Sequence, residues 1–520
     1  MLTFSYGFAG LSCLVGAYAF IGPSTNLYIG NKVISPDGFS RSAVLAGARP
    51  DSLVFPGPTI RAVKGETLRL NVVNQLKDKA MLMSTSVHWH GFSQQATQWA
   101  DGTAEVTQCP IVPGSSFMYQ FSTQNQAGTY WYHSHYSTQY CDGLKGPLVV
   151  YDPADPHRSK YDIDDESTII TLSDWYHMAA PTIPFPPVSM ATLINGKGRY
   201  AGGPNSPLAV INVVPALRYR FRLVSISCDP DFTFSIDGHS LTIIEVDSVN
   251  VAPLVVDEIN ILAGQRYSFV LNANQPIGSY WIRANPNSGT KGFDNGINSG
   301  ILRYLGARKE DPKTNSTVNN PLLETNLHPL VNPAAPGLPF PGGADVKIHL
   351  DIQFDFSAFK YTVNNVSYSP PAIPVLLQIL SGKSRAQDLL NPGSMYGLPP
   401  NKVIEISMNS GSLASPHPMH LHGHKFSVIE SADGTGFNFI NPVRRDVVSI
   451  GSDPNRNVTI RFKTDNPGPW IFHCHVDWHL EAGLSVVFAE DIPTIAKSKH
   501  PMAWDKLCPA FDALPPQTFP

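Results

Sequence analysis

The stretch His473-Cys474-His475-Val476-Asp477-Trp478-His479-Leu480-Glu481-Ala482-Gly483-Leu484 constrains this chain more than any other. It places four metal-binding side chains within seven positions. An extended His473-Cys474-His475 sends its side chains alternately to opposite faces. Both imidazoles then face one way and the thiol the other. One backbone can thus separate two metal centres by a few covalent bonds, a layout suited to electron transfer. The fold must then bring distant segments to both sides of a single strand.

The other histidines meet that demand. Eleven of the 17 lie in four short stretches: His88-Trp89-His90, His133-Ser134-His135, His417 to His424, and His473 to His479. The i, i+2 spacing of His88/His90, His133/His135, His420/His422 and His473/His475 puts each pair on one strand face. These pairs provide eight imidazoles that can converge. His417 and His479 remain, together with Cys474. A single His-X-His is usually two ordinary surface or core histidines, but four such pairs beside an unpaired thiol are poorly explained that way. Imidazole suits zinc, copper, iron and nickel, whereas a His₂Cys set without a strong further ligand is the pattern of a blue-copper electron-transfer centre. Structural zinc usually takes four ligands. Cys474, His417 and His479 therefore read as one copper site, and the eight imidazoles as the walls of a copper cluster.

The chain of 520 residues has room for two to four domains. With 15 % charged and 42 % hydrophobic residues it can build large cores, which argues against general disorder. Its 46 prolines and 40 glycines favour turns and short strands over long helices. A net charge of -4 with no basic run disfavours a nucleic-acid partner. Residues 1–19 read as a secretory signal, with an apolar Leu11–Ala19 run and Ala17-Tyr18-Ala19 at the cleavage point, although no Lys or Arg precedes the run. No later segment approaches the ~18–20 apolar residues of a membrane span. Secretion gives meaning to the glycosylation sequons at Asn315, Asn365 and Asn457. It also gives meaning to the cysteines. Once Cys13 leaves with the signal, Cys109, Cys141, Cys228 and Cys508 can form two disulfides in three connectivities. Cys474 is left over, and copper ligation accounts for it.

Alternating apolar residues predict strands at Thr67–Asn74, Gly146–Tyr151, Leu217–Val224, Arg266–Leu271, Lys402–Met408 and Asn457–Phe462, an all-β chain. Asp152–Pro156 reads as a linker, Pro329–Gly343 as a loop, Pro374–Leu380 as a short helix and Pro509–Pro520 as an extended tail. There is an internal echo: Gly128-Thr129-Tyr130-Trp131-Tyr132-His133 resembles Gly468-Pro469-Trp470-Ile471-Phe472-His473, and Gly278-Ser279-Tyr280-Trp281-Ile282-Arg283 repeats it without histidine. Three related β-units follow, at 20–154, 155–323 and 324–520, with ligands kept in the first and third. The middle unit holds only His157, His177 and His239.

The four histidine stretches resemble the copper motifs of the multicopper oxidases. Their wording, such as Trp131-Tyr132-His133-Ser134-His135-Tyr136 and His417-Pro418-Met419-His420-Leu421-His422-Gly423-His424, resembles basidiomycete laccases over essentially the whole mature chain. The resemblance implies three consecutive cupredoxin-like Greek-key β-barrels and four coppers per chain. It implies His417, Cys474 and His479 at the type 1 copper, and His88 and His420 at the type 2 copper. His90, His133, His135, His422, His473 and His475 fall to the type 3 pair, and His424 is no ligand. It also implies the pairings Cys109–Cys508 and Cys141–Cys228. Leu484 stands where cupredoxins can carry an axial methionine. It cannot coordinate, which should raise the type 1 potential. Asp229 matches the acid of the substrate pocket, where a carboxylate accepts the phenolic proton. Asp101 matches a carboxylate beside the cluster that relays protons and orients imidazoles. On local sequence alone, both read as turn residues. Asp477 and Glu481 read as helix-capping residues.

The resulting expectation is a secreted, monomeric laccase that oxidises phenols, including lignin fragments, and aromatic amines while reducing O2 to water. The alternatives are a ferroxidase or ascorbate oxidase of the same superfamily, or a secreted copper-binding glycoprotein without turnover. A ferroxidase needs iron-binding carboxylates near the type 1 site, for which Asp229 alone is thin support.

Overall fold

The computed structural model describes residues 20–520 except 317, 391, 392, 412, 414, 518 and 520. The expected signal, Cys13 and Thr317 of the first sequon lie outside the described residues. The chain is mostly β-sheet, and one topology recurs three times.

The recurrence explains the internal echo. In the first unit, Ile60–Val63 runs parallel to Lys145–Tyr151, which pairs antiparallel with Gly128–Ser134, which in turn pairs with Val87–His90. The middle unit repeats this with Val210–Val213, Ser299–Tyr304, Ser279–Pro286 and Phe232–Ile236. The third repeats it with Met395–Leu398, Ser485–Glu490, Gly468–Cys474 and Pro418–Leu421. The three echo segments thus occupy the same place in the three sheets. Each unit has a second sheet with a matching core: Ser24–Ile34 parallel to Thr67–Asn74, then Ser116–Ser122. Its counterparts are Ile169–Trp175, Arg218–Ser225 and Arg266–Asn272 in the middle unit, and Val346–Leu350, Val403–Asn409 and Asn457–Lys463 in the third.

Apolar alternation in the outer strands buries every second residue, as in Thr67–Asn74, where Leu68, Leu70 and Val72 are inside and Thr67 and Arg69 outside. The echo strands are different. Gly128–Ser134 and Gly468–Cys474 are buried at every position, because one face meets the unit's own core and the other meets a neighbouring unit. Their polar residues are therefore dry.

Two disulfides hold the units together, Cys109–Cys508 and Cys141–Cys228. The expected short helix is Val375–Leu380, with Pro374 at its N-cap. The expected extended tail is corrected: Leu507–Asp512 is helical, and only the residues beyond continue as tail. Pro509 does not prevent this, because it sits in the first turn, where its missing N–H has no intrahelical acceptor. Residues 322–330 still bond to the middle unit, through Leu322 N to Glu258 O, Ala252 N to His328 O and Leu330 N to Asn250 O.

Candidate metal centres

Strand register assembles the histidines. His88 pairs across from His133 in the first unit, and His420 from His473 in the third. The two sheets meet so that their imidazoles stack across the boundary: His88 on His422 and His90 on His420, each with ring centroids 3.9 Å apart. Three donor groups result, His88/His90/His420, His90/His133/His475 and His135/His422/His473, each with ligand atoms within 4.8 Å of one another.

The rings are oriented by hydrogen bonds from the nitrogen that does not point inward. Nδ1 of His88 donates to the Asp101 carbonyl at 2.7 Å, that of His133 to Ser134 at 2.8 Å, that of His420 to Asp446 at 2.8 Å and that of His473 to Cys474 at 2.9 Å. The Nε2 lone pairs are then left facing the interior. Those of His88, His133, His135 and His420 are buried and have no partner among the described residues. Two further pairs of nitrogens face each other, His422 Nε2 with His473 Nε2 and His90 Nδ1 with His475 Nε2, both at 3.2 Å. Burial, reinforced by the neighbouring histidines, holds His90, His133, His135, His420, His422 and His475 well below the usual imidazole range, so the rings are neutral. Neutral lone pairs converging on one buried space fit a cation.

On the opposite face of Gly468–Cys474 lies the second donor set. Nδ1 of His417 and of His479 are 3.0 Å apart and lie 3.6 and 3.5 Å from Cys474 Sγ. Cys474 is the free cysteine among the described residues and is fully buried. Burial pushes its thiol pKa up and brings His417 down to about 4, both of which leave a protein without metal poorly satisfied here. Leu484 is buried beside the trio. Its carbonyl accepts from Cys474 N at 3.1 Å and its N–H donates to the His479 carbonyl at 2.9 Å. No sulfur or oxygen donor enters with its side chain.

Asp101 follows a short 3-10 turn, Gln98–Ala100, and its carboxylate lies between the two units. Its Oδ2 accepts from His422 Nδ1 at 2.9 Å and from Thr103 Oγ1 at 2.8 Å. It is both a turn residue and a clamp on a cluster histidine. His424 turns away, with Nε2 2.7 Å from Glu490 Oε2. The capping expectation is corrected: Val476 is the N-cap of helix Asp477–Glu481 without a side-chain bond, and Glu481 is its last residue. Too short a helix follows for Glu481 to reach back.

Near His479 a cavity of about 100 Å³ is lined by Asp229, Asn287, Ser288, Pro416 and Val476. Ser288 Oγ donates to Asp229 Oδ2 at 2.9 Å. Burial, with Asp174 and Asp231 nearby, raises the Asp229 carboxyl to about 7 against the opposing Ser288 bond. A larger cleft of about 500 Å³ between the first and middle units, at Pro56, Ile169 and Val210, holds neither histidine nor cysteine, so chemistry favours the small one. Sequence reasoning missed an aromatic rim. Tyr361 has its ring 4.7 Å from His479 and 5.3 Å from His417, and Phe354 packs on Tyr361 at 4.9 Å. Phe185, Phe356 and Phe359 gather around Phe354 and stand exposed. Phenylalanines scattered in Phe354–Tyr361 give no sequence signal until the hairpin Ile352–Asp355/Lys360–Val363 brings them beside the thiol centre. Arg266 and Asp446 were likewise missed.

Multicopper oxidase profiles match residues 52–155, 166–307 and 368–493. The chain belongs to the multicopper oxidases. Within that family it sits among the fungal laccases. It is 61 % identical over 510 residues to Laccase-2 of Pleurotus ostreatus, covering 97 % of this chain and 95 % of the relative. It is 57 % identical over 512 residues to a laccase of Phlebia radiata, covering 97 % of each. The crystal structure of a laccase from Botrytis aclada superposes with a TM-score of 0.83 at 30 % identity, covering 96 % of this chain and 93 % of that one. Three cupredoxin-like domains are the architecture of this multicopper oxidase, its relatives imply copper, and its histidine clusters could hold a metal.

Proposed function

We propose that this laccase is a secreted monomer that oxidises phenols and aromatic amines and reduces O2 to water with four coppers per chain. His417, Cys474 and His479 hold one, His88 and His420 a second, and His90, His133, His135, His422, His473 and His475 the remaining pair. Copper bound there would supply one-electron oxidation at the first centre, and the four coppers together would store the four electrons that O2 takes. The observation that carries the reading is the back-to-back placement on one strand: Cys474 Sγ meets His417 and His479 on one face, while His473 and His475 enter the histidine cluster on the other.

The chain's own residues divide the remaining work. The aromatic rim offers flat, apolar surface to an aromatic donor beside His479. Asp229 accepts the phenolic proton as the electron leaves, so no phenol radical cation has to form. Ser288 holds the carboxylate in place. The covalent path from Cys474 through backbone to His473 and His475 links the two centres. Asp101, which accepts from His422 and Thr103, orients the His422 ring and stands where it can relay protons to the cluster. Burial of the cluster keeps bulky donors from reaching it.

Unit boundaries near residues 154 and 323 belong to the same reading, supported by sheets that do not share strands between units. Exposure of Asn315, Asn365 and Asn457 supports N-glycosylation and an extracellular location. Oxygen uptake by copper-loaded protein tests the proposal, with a phenol, ferrous ion or ascorbate as sole donor. Rapid uptake with the phenol is expected. Uptake with ferrous ion alone would overturn it, and so would four bound coppers with no uptake from any donor.

A further inference from the structure

The middle unit carries no cluster histidine, yet it touches the cluster. The turn before its Arg266–Asn272 strand brings Gly264 against two imidazoles. Gly264 has φ +83, and a Cβ there would lie 2.9 Å from His475 Cδ2 and 3.1 Å from His90 Cε1. Two residues on, Arg266 is fully buried and its guanidinium reaches all three units. Nη1 and Nη2 grip Asp446 of the third unit, at 2.5 Å to Oδ1 and 2.7 Å to Oδ2. Nε donates to Thr129 O of the first unit at 3.1 Å, and Nη1 also to Gly264 O at 3.0 Å.

Asp446 in turn holds two cluster rings. Its carbonyl accepts from His420 Nδ1 at 2.8 Å, and its Oδ1 from His90 Nε2 at 3.2 Å. The second bond has a consequence for His90 alone. His88, His133, His420 and His473 donate through Nδ1 and offer Nε2 inward. His90 donates through Nε2 and offers Nδ1, which faces His475. The Asp446 carboxylate therefore selects the tautomer of His90. A planar fork with two parallel N–H···O bonds is what fixes a carboxylate in one plane, and a point charge does not do so.

We propose that Arg266 is a positioning residue of the oxygen-reducing cluster: by locking the Asp446 carboxylate it keeps His90 in the tautomer and His420 in the orientation that aim their free nitrogens at the metal. The inference rests on the copper reading of the histidine cluster given above. It assigns the middle unit a part in the chemistry as well as in the packing. With Arg266 gone, Asp446 is free to turn from His90, and the cluster loses a defined ligand while the thiol centre, on the far side of the strand, is untouched.

A second buried fork in the same unit provides the control. Arg283 grips Asp237 at 2.7 and 2.8 Å and contacts none of the cluster histidines among the described residues. Copper-loaded wild type, R266Q, R266K and R283Q are compared by bound copper, blue absorbance, turnover and KM for O2. R283Q is expected to lose thermal stability while keeping wild-type copper and turnover. R266Q is expected to keep blue absorbance but lose about 10–100-fold in turnover or in cluster copper affinity, with R266K recovering only part. R266Q matching R283Q in copper and turnover would overturn the proposal. Should R266Q not fold, R266K decides: loss of turnover with blue colour intact supports the proposal, and wild-type behaviour overturns it. A wild type that binds no copper would instead overturn the copper reading beneath it.

Discussion

Asp229 shows how one residue's surroundings set a pH response. Its carboxyl is raised to about 7 from an ordinary 3.8, mainly by burial. Only the ionised form accepts a proton, so phenol oxidation should rise as pH passes about 7. Asp229→Asn should remove that limb and lower phenol turnover by about 10²-fold, measured against a donor that gives up an electron without a proton. Ser288→Ala removes a bond to the ionised form, so the limb should move to higher pH. The same shift bears on stability: the folded protein binds the extra proton between about 4 and 7, so Asp229 makes the fold less stable as pH rises through that window. Leu484 makes a different contribution. With no donor atom it disfavours the oxidised metal, and redox titration should find the wild type at a higher potential than Leu484→Met. Equal or reversed potentials would show that Leu484 does not tune the site.

Elements deliver these residues, and their local rules were unevenly legible. The i, i+2 histidine spacing needed only strand geometry, so the four ligand stretches could be read from sequence. Asp101 had its role only through the family resemblance, since its local sequence reads as a turn. Its role depends on Gly102, which has φ +84 and whose added Cβ would sit 1.8 Å from the Val87 carbonyl. Gly102→Ala should therefore displace the Val87–His90 strand and cost several kcal/mol in a denaturation experiment, on the order of other strained and overpacked sites. Residues 509–512, expected as part of an extended tail, belong to the helix Leu507–Asp512, whose first turn tolerates Pro509. Its anchor is the Cys109–Cys508 bond, joined by Trp504 Nε1 donating to Thr107 O at 3.0 Å. Replacing both cysteines with alanine should lower stability by about 2–5 kcal/mol while leaving blue absorbance unchanged.

Across the molecule, a triplicated topology places two ligand-bearing sheets face to face and a third beside them. The echo among Trp131, Trp281 and Trp470 segments was enough to suggest three units, because each segment fills the same strand position in its sheet. What sequence could not show was contact between units. The Phe354–Tyr361 rim, the Arg266 fork and the Asp446 clamp draw on residues far apart in the chain, with no periodicity to mark them. In the proposed function Cys474 joins two copper centres on opposite faces of one strand. The most direct measurement is metal analysis and visible absorption of copper-loaded Cys474→Ser. Loss of the blue absorbance and of phenol oxidation is expected, with copper falling by one per chain and the cluster coppers retained. A variant that stays blue and active would contradict it.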